Sequence, residues 1–90
     1  MKQLKVTVTQ KNIDKGVPFC SSSCPIALAV RRLVPDGTVR VGKDIYLKRG
    51  STYVCYDMPK EAEEFLYNFD EGLTVEPFTF VASIQEMDRE

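Results

Sequence analysis

The sequence predicts an α+β domain: an antiparallel or mixed sheet of about four to five strands, in the order β-α-β-β-β-α-β, with two helices packed on one face. Three observations carry this. Leu4, Val6 and Val8 alternate with Lys5, Thr7 and Thr9, the pattern of a half-buried strand with one wet face. Two stretches, one opening at Pro25 and one at Pro59, repeat apolar residues at helical spacing behind a proline that suits a first helical turn. Between them lie three short runs rich in β-branched and aromatic residues, separated by glycine-containing turns, as a meander requires.

Each element has a local reason. After the first strand, Thr9 suits the cap of a short turn through residues 10–15, with Ile13 beneath it and Gly16 ending it. Val17 precedes Pro18 and is therefore extended. Ser23 or Cys24 then caps a helix that starts at Pro25. Ile26, Ala29, Val30 and Leu33 form its core face, broadened by Ala27, Leu28 and Val34. Arg31 and Arg32 point to water near its negative end, and Pro35-Asp36-Gly37 stops it. The meander follows as residues 38–41, 45–48 and 52–56, with turns at Gly42-Lys43-Asp44 and Arg49-Gly50-Ser51. Asp57 or Met58 caps the second helix, with Pro59 in its first turn and Glu61, Glu63 and Glu64 near its positive end. Ala62, Phe65, Leu66 and Phe69 are its core stripe, and Gly72 ends it. Residues 75–81 read as a last strand with Phe78 and Phe80 on one face; Pro77 suits an edge or a strand start. The domain is expected to span residues 1–82, and residues 83–90 to form a charged, frayed tail.

With 90 residues, 43% of them apolar and 28% charged, the chain makes one folded domain with a single modest core rather than a disordered segment. No apolar run approaches the roughly 20 residues that span a bilayer, and the first residues alternate charged with apolar instead of forming a signal-peptide core. The expectation is a cytoplasmic protein with reduced thiols and no membrane association. Net charge is −1, but it is segregated. Residues 1–30 set four lysines against Asp14, and residues 31–56 set six cations against Asp36 and Asp44, so both are basic. Residues 57–90 set ten carboxylates against Lys60 and Arg89. Such polarity steers partners and does not choose the fold.

The Cys20-Ser21-Ser22-Ser23-Cys24-Pro25 run invites chemistry. A structural zinc site wants four nitrogen or sulfur ligands in close pairs; with Cys55 there are three thiols and no histidine in the chain. A Cys20–Cys24 disulfide closes a ring too small to restrict the unfolded chain much, and a reducing compartment disfavours it. Cysteine catalysis needs a base, and the usual one is missing. The three serines could hold an anion at a helix start, but no glycine-rich loop or adjacent lysine supports that. The sequence therefore predicts no metal, no cofactor and no catalytic residue. Cys24 reads foremost as a small packed side chain. One chemical expectation survives: as a candidate reactive thiol, Cys24 should be made somewhat acidic by the helix it opens.

Two surfaces are candidates for partners. Glu61, Glu63 and Glu64 with Asp70 and Glu71 form an acidic helix face, and Tyr46, Tyr53 and Tyr56 are expected as exposed strand aromatics. The acidic face suits a basic protein partner, whose encounter the charge would speed, and with the tyrosines it is the expected contact surface. Alternatively Arg40, Lys43, Lys48 and Arg49, interleaved with tyrosines, make a basic sheet face for a nucleic acid. A sequence pI near 5.5 argues against that second reading.

The series Val8-Thr9-Gln10, Ile13-Asp14-Lys15-Gly16, Cys20…Cys24-Pro25-Ile26-Ala27-Leu28-Ala29, Pro59-Lys60-Glu61-Ala62…Phe65…Phe69-Asp70-Glu71-Gly72…Val75-Glu76-Pro77-Phe78…Phe80 resembles a family of small, uncharacterised proteins encoded by bacteriophages and prophages. The resemblance covers about residues 6–81. In that family the two cysteines are usually separated by two residues; here three serines intervene, which weakens a shared metal site. The resemblance implies no activity and no site residues. It does imply a setting, the bacterial cytoplasm. By analogy it also implies a role: a non-enzymatic module that binds and modulates a host protein in the manner of anti-defence or host-takeover factors. Separately, a monomer or a homodimer paired through exposed strand edges is expected.

Overall fold

A computed structural model describes residues 3–85. The elements run β1 (Gln3–Val8), α1 (Gln10–Lys15), α2 (Pro25–Leu33), β2 (Thr38–Val41), β3 (Ile45–Arg49), β4 (Thr52–Tyr56), α3 (Lys60–Asp70) and β5 (Phe78–Ser83). The α+β class is as the sequence predicts. The six residues expected as a short turn form a helix of their own, so there are three helices among the described residues rather than two. Thr9 caps α1 as expected, in a reciprocal box: its hydroxyl accepts from the Asn12 N–H, and the Asn12 side chain accepts from the Thr9 N–H.

The strands pair antiparallel in two groups, β1 with β5 and β2-β3-β4 in order. The groups are stitched where β5 runs on past β1. The Asp57 N–H donates to the Ser83 carbonyl and the Gln85 N–H to the Cys55 carbonyl, both at 2.8 Å, around a bridge between Tyr56 and Ile84. The strand sequence 2-3-4-5-1 therefore reads as one interrupted sheet. This corrects the expected tail: residues 83–85 are part of the sheet, and residues 86–90 lie outside the described ones.

One core fills the inner side. Leu4, Val6 and Val8 of β1, Phe80 and Ala82 of β5, and Val39, Val41, Ile45 and Leu47 of the meander meet Ile26, Ala27, Ala29 and Val30 of α2. Helix α3 joins it through Ala62 and Phe65. An aromatic row ties it down: Phe65 stacks on Phe69 at 6.4 Å and on Phe78 at 4.8 Å, and Phe78 on Phe80 at 5.4 Å. Each such contact is worth about 0.5–1.5 kcal/mol beyond its burial. The cap of α3 differs from expectation. Pro59 occupies the cap and supplies no side-chain bond, so neither Asp57 nor Met58 serves there; Met58 is instead buried. Strand β5 starts only at Phe78, because Pro77 has no N–H to give a ladder.

The serine loop is built into this frame. The Ser21 carbonyl accepts from the Val41 N–H at 2.8 Å, on the side of β2 that β3 does not pair. The Val17 N–H reaches the Ser23 carbonyl at 2.9 Å, the Cys24 N–H reaches the Cys20 carbonyl at 2.9 Å, and the Arg31 guanidinium donates to the Ser22 carbonyl. The run that looked like a metal motif is thus a tied connector that covers part of a sheet edge.

Candidate functional site

Strand alternation and pairing register decide which of the sequence candidates share a surface. In β2, β3 and β4 the residues pointing away from the core are Thr38 and Arg40, Tyr46 and Lys48, and Tyr53 and Cys55. The register sets Arg40 beside Tyr46 and Tyr46 beside Cys55 in one row, and Thr38 beside Lys48 and Lys48 beside Tyr53 in the next. Tyr46 is 47% exposed and Tyr53 is 74% exposed. The Lys48 ammonium lies 5.3 Å from the centre of the Tyr53 ring, a cation–π contact that orders both side chains. These six residues, with Ile84 and Gln85 at one side, line a shallow concavity of about 540 Å³.

The end of this face is acidic. Asp44 and Asp57 continue the outward alternation just beyond β3 and β4, and the Gln85 side-chain amide donates to both, at 3.0 and 2.8 Å. Cys55 senses them. Burial pushes its thiol pKa up, and the Asp44 and Asp57 carboxylates push it further the same way.

Several expected residues are elsewhere. Tyr56 is 3% exposed and packs in the core opposite Ile45, so it is not a partner residue. The reason is the period of two: residues 53 and 56 necessarily point to opposite faces of one strand. Arg49 falls on the inner side with Ile45 and Leu47 and reaches out to Asp36, 3.4 Å away, in an exposed pair. Lys43 sits in the turn beside the face. Glu61, Glu63 and Glu64 are exposed on α3, in the helix layer, and do not share the tyrosine face. Asp70 is engaged: its carboxylate accepts the Phe19 N–H at 3.0 Å.

The thiols also part from expectation. Cys24 does cap α2, and its sulfur accepts the Ala27 N–H at 3.4 Å. At 2% exposure, however, burial raises its pKa and outweighs the helix terminus, the reverse of the expected acidic thiol. Cys20 is the one lowered, chiefly by the Ser22 hydroxyl, with the Ser22 N–H and the Ser23 hydroxyl adding to it. All three cysteines are free. Among the described residues, no cluster of three His, Cys, Asp or Glu side chains could hold a metal ion, and no helix is long and apolar enough to cross a membrane.

A second hollow of about 530 Å³ opens on the inner side, floored by Leu4, Val34, Leu47 and Tyr56 with the Asp36–Arg49 pair at its rim. Among the described residues it brings together no catalytic acid–base or nucleophilic pair.

Sequence reasoning missed Phe19. It is 76% exposed and adopts φ +58°, the left-handed region that a bulky side chain rarely enters. The apolar Val17-Pro18-Phe19 run ahead of the cysteines was the available signal.

Comparison with known proteins returns no matching family model, no matching curated protein and no matching solved structure.

Proposed function

We propose that the chain is a non-enzymatic protein-interaction module and that its contact surface is the outer face of β2-β3-β4 around Tyr46 and Tyr53. One observation carries this: the pairing register gathers two exposed tyrosines, Arg40 and Lys48 on a face that no described helix covers and whose end is closed by Asp44 and Asp57. Tyrosine and arginine are the residue types that dominate binding energy at protein interfaces. A nucleic-acid site wants cations of one sign along its length. Two carboxylates at the end of this face, and Arg49 turned to the inner side, argue for a protein instead. The residue series described above supports a phage setting, with a bacterial host protein as partner.

A second reading rests on α3, where Tyr67 is exposed among Glu63, Glu64 and Asn68 in a hollow of about 350 Å³. That arrangement suits a basic partner.

Affinity capture from bacterial lysate separates these. A protein retained after nuclease treatment, and lost with Tyr46→Ala/Tyr53→Ala but kept with Glu63→Lys/Glu64→Lys, is the expected result. Loss only with the glutamate variant moves the surface to α3. Salt-sensitive binding of a single-stranded oligonucleotide that needs Arg40 and Lys48 overturns the protein reading.

A further inference from the structure

We propose that Phe19 is a pre-organised anchor that inserts its ring into an apolar, basic-rimmed pocket of a protein partner. The inference assigns a residue to the module described above and rests on its being a protein-binding module. It stands on the loop's own geometry and not on the tyrosine face.

The ring is the most exposed large apolar side chain among the described residues, and its backbone holds an unfavourable conformation. A chain normally relieves such strain unless its surroundings over-determine it, and strain of this kind concentrates at ligand clamps and switch regions. Here the surroundings do over-determine it. The Phe19 N–H is latched to Asp70, 51 residues further along the chain. On either side the loop is tied by Val17 to Ser23, Cys24 to Cys20, and Ser21 to Val41 of β2. A flexible loop would fold Phe19 back onto the half-buried Leu66 beside it, with which it lines a cleft of about 310 Å³. This loop instead holds the ring out. Rigid presentation of one aromatic side chain removes the ordering cost that a mobile loop would charge against binding. A buried aromatic at the centre of a desolvated pocket is the usual form of a binding hot spot.

The charge around the ring selects the partner class. Asp70 lies against the Phe19 backbone and Glu71 follows it, exposed, at the end of α3. The Asp70 carboxylate at the base of the ring disfavours an anionic lipid surface or a nucleic acid and complements a protein pocket with Lys or Arg at its rim, while the Arg31 guanidinium of α2 is turned onto the Ser22 carbonyl of the same loop. Because Ser21 binds β2, the anchor stands beside the edge of the sheet that carries Arg40 and Tyr46.

The test places photoreactive benzoylphenylalanine at position 19 of the full chain in bacterial cells, with positions 67 and 73, 64% and 56% exposed, as surface controls. The expected result is one discrete protein adduct at 19 and none at the controls, reduced roughly 2- to 10-fold by Asp70→Ala, which frees the loop but keeps the ring. An adduct insensitive to Asp70→Ala, or none at 19, overturns the proposal, as does Phe19-dependent binding to phosphatidylglycerol vesicles. Phe19→Gly guards against a purely structural role: its urea midpoint should equal or exceed that of the parent, because glycine accepts the positive φ. A clearly lower midpoint would show the ring holding this chain together. The sheet reading fails separately. An adduct at 19 that survives Tyr46→Ala/Tyr53→Ala keeps the anchor and discards the tyrosine face; loss of lysate capture in that variant, with no adduct at 19, does the reverse.

Discussion

Gly16→Ala should destabilise the domain although alanine can adopt the backbone conformation there. Gly16 has φ −68° and ψ 153°, extended backbone open to any residue. The obstacle is space. A Cβ at position 16 would stand 2.6 Å from Pro25 Cγ, 2.7 Å from Pro25 Cδ and 2.9 Å from the Pro25 nitrogen. None of these can swing away, because the proline ring is buried in the first turn of α2. Overpacking by one methyl group costs about 1–3 kcal/mol. Against this, replacing glycine narrows the unfolded ensemble and returns about 0.4–1 kcal/mol. The net loss is roughly 1–2 kcal/mol, a Tm fall of about 4–15 °C for a domain of this size. Urea and thermal unfolding measure it, with Gly42→Ala as control: nothing lies within 4 Å of a Cβ there, so that variant should be neutral or slightly stabilised. If Gly16→Ala unfolds with the parent, α1 and α2 do not meet as closely as described, and the geometry of the loop between them loses its support.

Three further predictions follow from side-chain placement. Tyr56→Ala should cost about 3–5 kcal/mol in urea unfolding, as for a large core aromatic, whereas Tyr53→Ala should cost under about 1 kcal/mol. Iodoacetamide at pH 7.5 should label Cys20 ahead of Cys55 and far ahead of Cys24. The Ser22 hydroxyl lowers the Cys20 pKa, so more thiolate is present at that pH; Ser22→Ala should raise the pKa and slow labelling, moving its pH profile upward. Arg49→Ala should change stability by less than about 0.5 kcal/mol, since its pair with Asp36 is exposed at both ends.

Much of the fold was legible because it is written in short-range pattern. The alternation of Leu4, Val6 and Val8, the proline at the first position of α2 and the glycine turns of the meander each have a local cause, and each appears where the sequence put it. The site was less legible, for three different reasons. Tyr56 was recoverable from period-two alternation alone, which sets it against Tyr53. Cys24 involved two opposing effects, and only the folded burial shows that desolvation exceeds the helix terminus. Asp70 and Phe19 meet across 51 residues, a contact no local pattern encodes, so an acidic residue expected to face solvent serves as a latch. The basic face also split. Lys48 and Arg49 are adjacent in β3 and so point to opposite faces, which alternation alone decides, while the register sets Arg40 beside Tyr46 on the Lys48 side.

The most direct test of the account is hydroxyl-radical footprinting of the chain alone and bound to the protein it captures from bacterial lysate, read at individual side chains. Tyr46 and Tyr53 should lose reactivity in the complex while Tyr67 keeps it. Protection of Tyr67 with Tyr46 and Tyr53 unchanged would contradict the assignment of the sheet face as the working surface.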